Sequence, residues 1–103
     1  MKIQFNTDKT IDWDQRSREY FDTLIKDELK RFSSHITRME VHLSDENGPK
    51  EGINAIRCLI EVRIEGRQPI AISNQAGTIE QAVSGTIGKI KTSLTTILER
   101  IKN

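Results

Sequence analysis

The chain predicts an α+β domain in the order strand, helix, strand, strand, strand, helix, with a four-stranded sheet covered on one face by two helices. Three observations carry that prediction. Apolar residues alternate with polar ones in four short stretches, they recur every three to four residues in two longer ones, and a length of 103 residues suits one domain spanning residues 1–103. Charged residues make up 30% and hydrophobic residues 35%, with both signs intermixed, which describes a folded domain rather than a disordered chain.

In the opening stretch "KIQF", Ile3 and Phe5 point one way and Lys2, Gln4 and Asn6 the other, giving the first strand. Asp12 with Gln15 has capping-box spacing, and Phe21, Leu24, Ile25, Leu29 and Phe32 continue a helical period for about five turns. From Ile36 the period becomes two. Met39, Val41 and Leu43 face inward, and Arg38, Glu40 and His42 face water. The turn formers of "SDENGPKEG" interrupt the alternation, which resumes through Ile56, Cys58, Ile60, Val62 and Ile64, with Arg57, Glu61, Arg63 and Glu65 outward. Gly66 breaks that strand. Ile70 and Ile72 form a fourth, and Pro69 favours an edge position for it. Short turns join the last three strands, so they should pair antiparallel.

Thr78 with Gln81 repeats the capping-box spacing, and Ile79, Val83, Ile87, Ile90, Leu94, Ile97 and Ile101 then sustain one apolar stripe. The stretch "SGTIGKIK" inside it holds a G-x-x-G. As a backbone-clamping loop of the KH type it would interrupt the stripe and expose Ile87, so an unbroken helix is the expectation. Gly85 and Gly88 each cost that helix about 1 kcal/mol relative to alanine, and their expected use is close approach to a neighbour.

Composition offers little for catalysis. His35 and His42 have no cysteine or carboxylate pattern around them at metal-ligand spacing and are expected as surface histidines. Cys58 points to the predicted core, where a thiol is inert. There is no P-loop, dinucleotide fingerprint or nucleophile elbow, so no enzyme, cofactor, metal or small-molecule substrate is expected. With no long apolar run and no signal-peptide pattern in "MKIQFNTDKT", neither is a membrane partner; a cytoplasmic location is the expectation.

Binding has more to work with. Net charge is only +1, but from Ser84 to Asn103 four cations (Lys89, Lys91, Arg100, Lys102) face one anion (Glu99). Lys89, Thr92, Thr96 and Arg100 fall three and four apart with Lys91 beside them, a stripe of donors on the outer side of the second helix. Lys26 and Lys30, four apart, and then Arg31 extend it if the helices lie side by side. Such a stripe suits phosphates, and an ordinary solvated helix face has the same composition. No aromatic residue lies beside these cations to stack on bases, so any RNA contact is to backbone and shape.

The order of elements, the segment "SREYFDTLIKDELKRFSSHITRMEVHLS" and the segment "TIEQAVSGTIGKIKTSL" with its basic tail resemble the ribosome hibernation-promoting factor and ribosome-associated inhibitor family over nearly the whole chain. The resemblance implies a double-stranded-RNA-binding-like fold. It also implies a partner, the small ribosomal subunit and its rRNA, whose decoding region is blocked in idle ribosomes. Both helices then present cations to that RNA, which assigns the role to Lys26, Lys30, Arg31, Lys89, Lys91 and Arg100. Departures from the family pattern are Thr92 and Thr96, which replace basic residues, and Asp22, Asp27 and Glu28, which interleave the first helix. The chain ends at Asn103, which implies the short form.

The alternative is a divergent member that acts as a protein interaction or dimerisation module, a homodimer included; Leu59 on the polar sheet face is the one feature that favours it. An independent double-stranded-RNA binder is disfavoured because "GTIEQAV" lacks a lysine cluster at the start of the second helix.

Overall fold

The computed structural model describes residues 1–46 and 55–101, the last two by backbone alone. Strand β1 (Lys2–Thr7), helix α1 (Gln15–Glu28), strands β2 (Ile36–Asp45), β3 (Ile56–Ile64) and β4 (Ile70–Ala76), and helix α2 (Ile79–Ile101) follow one another in the predicted order. They build one four-stranded sheet in the order β1-β2-β3-β4. β1 runs parallel to β2, joined by the crossover through α1, and the other neighbours are antiparallel. The tip of the "SDENGPKEG" turn lies outside the described residues.

Alternation decides the two faces. On one, Met39 opposes Val62, Val41 opposes Ile60 and Leu43 opposes Cys58, and all of these are buried. On the other, Arg38, Glu40, His42, Arg57, Leu59, Glu61 and Arg63 face away from the helices. The helices cover the apolar face with Phe21 and Ile25 from α1, Leu29 just after it, and Val83, Ile87, Ile90 and Leu94 from α2, all buried. Burial pushes the Cys58 thiol up to about 11, so it behaves as a small hydrophobe, as expected. Among the described residues no helix is long and apolar enough to cross a membrane.

The first helix departs from expectation at both ends. Its N-cap is Asp14, not Asp12: the Asp14 carboxylate accepts from the Ser17 amide at 2.9 Å and from the Ser17 hydroxyl at 3.1 Å. Trp13 is the reason. Its ring stacks on Phe21 (centroids 5.7 Å apart) and tilts against Phe5 (5.3 Å), so the chain turns helical only after that side chain is seated. At the other end the α-helix stops at Glu28, and a 3₁₀ turn, Lys30–Phe32, tightens the chain so that Phe32 still reaches the core.

The second helix is unbroken through both glycines, and the Thr78 hydroxyl caps it by accepting from the Gln81 amide at 3.1 Å. Gly85 is a close approach: a Cβ built there would lie 2.8 Å from Cγ of Asn74 on β4 and closer still to its amide nitrogen. Gly88 is not, since a Cβ there meets nothing within 4 Å. Between β3 and β4, Gly66 turns the chain at φ +73°.

The Ser17 amide holds Asp14 below the usual carboxylate range, so the cap stabilises the fold above the unfolded pKa and loses that effect as pH falls through the folded one. Asp14→Ala should lower the melting temperature at neutral pH, and the gap to the parent should close below about pH 4; a gap undiminished in acid would contradict the capping role. Separately, Gly88→Ala should stabilise by up to about 1 kcal/mol in urea melts. Gly85→Ala should not do so until Asn74→Ala clears its path.

Candidate nucleic-acid interface

Because both apolar stripes pack on one sheet face, the two helices lie side by side; two side-chain contacts bridge them, and a third ties the 3₁₀ turn after α1 to α2. The Tyr20 hydroxyl donates to Glu80 Oε2 at 2.9 Å, Lys91 Nζ donates to Glu28 Oε2 at 2.6 Å, and Arg31 Nη2 donates to Thr95 Oγ1 at 3.1 Å. Partner numbers rise together, from 20 with 80 to 31 with 95, so the helices run parallel. The seam between them is polar and opens to solvent.

The expected cations do not form one stripe. Lys91 and Arg31 lie in the seam, where Arg31 also sits 4.5 Å above the Phe32 ring. Lys30, on the 3₁₀ turn beside Arg31, is exposed, and its ammonium group has no ion pair or hydrogen bond among the described residues. Lys26 turns away from the seam. It pairs with Asp22 at 3.0 Å and lines a cleft beside β1 with Lys2 and Arg18. Lys89 leaves α2 on its far side and donates to the Ser73 carbonyl of β4 at 2.9 Å. Lys89 and Lys91 therefore straddle the helix instead of sharing an outer face. The side chain of Arg100 lies outside what is described.

Two of these cations are held by carboxylates, yet weakly. The Lys26–Asp22 pair is exposed by 48% and 27%, and the Lys91–Glu28 pair by 37% and 44%. Surface pairs of this kind contribute about 0–1 kcal/mol. A phosphate that meets several donors at once can displace such a carboxylate, because charge-assisted hydrogen bonds contribute roughly 1.5–3 kcal/mol each.

Aromatic side chains do not supply a stacking platform here. Trp13 is used in the core contact with Phe5 and Phe21, and Tyr20, although 51% exposed, is tied by its hydroxyl to Glu80. Arg18 shares a face of α1 with Lys26 by helical spacing, but Lys2 joins them only through the packing of α1 against the start of β1, which no sequence spacing encodes.

The family model described as sigma 54 modulation protein / S30EA ribosomal protein matches residues 5–102. The chain belongs to that family. It is the ribosome hibernation family that the sequence resembles, a family of ribosome-associated factors. No curated protein sequence matches the chain. Among solved structures similar to this S30EA family member is the Protein Y N-terminal domain of Thermus thermophilus, at TM-score 0.73 and 14% identity, over 94% of this chain and 99% of that one. A ribosomal subunit interface protein from Coxiella burnetii is similar at TM-score 0.70 and 18% identity, over 96% and 99%. At such identities the likeness speaks for the fold, and it bears out the α+β architecture expected of the sequence.

The seam contacts yield a direct check. The hydrogen bond to Glu80, with that carboxylate's charge, holds the phenol of Tyr20 above its ordinary pKa. Tyr20 is the chain's one tyrosine, so ultraviolet titration reads it without ambiguity. Glu80→Gln should bring the transition down toward about 10, and no change would mean that the two helices do not meet there in solution.

Proposed function

We propose that this protein is a ribosome hibernation factor of the cytoplasm that binds the small ribosomal subunit and inhibits or protects idle ribosomes by occupying space, with no catalytic step. Membership of the S30EA family over residues 5–102 is the observation that carries the reading. The likeness in fold to Protein Y and to a ribosomal subunit interface protein supports it. Phosphates of the rRNA are contacted by Lys30, Arg31 and Lys91 along the helix seam, by Lys26 and Lys89 on its two flanks, and by Arg100 near the end of α2. With a net charge of +1 and no stacking platform, binding rests on shape and a few phosphate contacts, so it is salt-sensitive in proportion to their number.

The interaction-module alternative has less behind it. Leu59 is part-covered, between His42 of β2 and Ser73 of β4, and a single such leucine does not make a docking patch.

Cosedimentation with purified small subunits across a salt series tests the proposal. Lys30→Glu and Lys91→Glu should each weaken binding about tenfold, and Lys30→Ala should lower the salt slope by about one. Glu28→Gln should strengthen binding by freeing Lys91. Failure of the parent chain to cosediment even at low salt would sink the proposal.

A further inference from the structure

The sheet face away from the helices carries a cluster that the proposed ribosome contacts leave unused. β2 and β3 pair so that Glu40 stands directly opposite Glu61, and like charges directly opposite one another destabilise an antiparallel pair. His42, two residues along β2, shares that face. Its Nε2 lies 3.8 Å from Glu40 Oε2 and 3.8 Å from Glu61 Oε1. Both distances exceed a hydrogen bond, and this nitrogen is shielded from solvent with no hydrogen-bond partner among the described residues. A shielded ring nitrogen aimed between two carboxylate oxygens is the kind of unsatisfied group that folded chains seldom keep without a ligand.

We propose that Glu40, His42 and Glu61 form a binding site for a divalent transition-metal ion, Zn²⁺ foremost, on the open face of the sheet. The three ligand atoms lie within 4.8 Å of one another. Around Zn²⁺, with bonds of about 2.0 Å, tetrahedral neighbours sit about 3.3 Å apart, so each of the two nitrogen–oxygen pairs closes by roughly half an ångström. Glu61, with 46% of its side chain exposed, has room to make that move. The imidazole nitrogen selects a transition ion over Mg²⁺ or Ca²⁺, which prefer oxygen alone, and the fourth position falls to water.

Neighbouring groups are compatible with this site. Arg38 Nη2 occupies Glu40 Oε1 at 3.1 Å and leaves Oε2 facing His42. Coordination through Nε2 puts the ring proton on Nδ1. Asn6 Nδ2 now lies 3.5 Å from Nδ1, and a turn of that side-chain amide would present its oxygen to the ring proton at the cost of the hydrogen bond that this oxygen accepts from Gln4 Nε2 at 3.2 Å. Sequence shows the Glu40, His42 half of the set as two residues on one strand face, but Glu61 joins only through cross-strand register.

Isothermal titration of the full chain with ZnCl₂ in a non-chelating buffer at neutral pH is the test, with chemical shifts of the His42 ring nitrogens as a second readout. One ion per chain should bind and shift the His42 Nε2 resonance. His42→Gln and Glu61→Gln should each weaken binding about tenfold or more, while His35→Gln and added Mg²⁺ leave it unchanged. All substituted side chains lie outside the core, on the helix-free sheet face or in an exposed turn, so circular-dichroism melts should show the variants folded; should His42→Gln fail to fold, Glu61→Gln and the parent's ring resonances decide. A Kd weaker than about 1 mM, or binding that survives both ligand substitutions, overturns the proposal.

Discussion

What the helices can offer a partner is fixed by which stripe of each one the sheet buries. Ile90 is fully buried, and successive residues of an α-helix are about 100° apart, so Lys89 and Lys91 on either side of it are separated by about 200°. No rotation of α2 keeps Ile90 in the core and turns both lysines outward together. One must go to the β4 flank and the other to the seam, where Ser73 and Glu28 receive them. The same geometry acts on α1, where Lys26 and Glu28 lie on opposite sides and only the acid faces α2. Apolar burial, the strongest of these forces, thus divides a basic segment into separate small sites.

That division changes the electrostatics more than the net charge does. A continuous basic stripe would repel itself and attract any polyanion; cations distributed over a seam and two flanks, with Lys26, Lys89 and Lys91 each held by a carboxylate or a carbonyl, do neither strongly. Exposed pairs contribute so little to stability that their carboxylates act as placeholders rather than locks. The Lys91–Glu28 contact keeps a lysine extended in the seam at little cost. Under the proposed function, specificity would lie in whether the other surface brings phosphates to all these points at once, which is a demand on shape. A double-stranded-RNA-binding-like block of parallel helices on a twisted sheet is rigid enough to make that demand.

The fold was legible because burial is periodic. Every strand and both helices occur in the order that alternation and helical spacing predict, α1 differing at its two ends, and the apolar stripe of α2 outweighs two glycines. Local chemistry was less legible where a bulky residue intervened: Asp12 has the spacing of a cap, but Trp13 must first reach Phe5 and Phe21, and that contact is long-range. The glycines divide for the same reason, since only Gly85 has Asn74 opposite it. As for the site, residue types could be named but not their grouping. Whether Lys26 meets Lys91 or Lys2 depends on helix rotation and neighbours, which lie outside any one segment. His42 looked like an isolated surface histidine because its second carboxylate comes from another strand.

Register on the open face poses the sharper question. β2 and β3 oppose Arg38 to Arg63 and Glu40 to Glu61, two like-charged pairs side by side. A slip of two residues would set Glu40 against Arg63 and Arg38 against Glu65 and would keep every inward residue apolar, with Met39 on Ile64 and Val41 on Val62. Surface charge alone therefore favours a different pairing from the one adopted. The observed register is held by features on other parts of the sheet: the irregularity between Ile36 and Arg38, where the Thr37 hydroxyl donates to the Arg63 carbonyl, the Glu65 amide bound to the His35 carbonyl, and the turn at Gly66. These anchors keep two glutamates opposed beside an imidazole. The space between the two opposed carboxylates is where the proposed divalent ion would offset their repulsion.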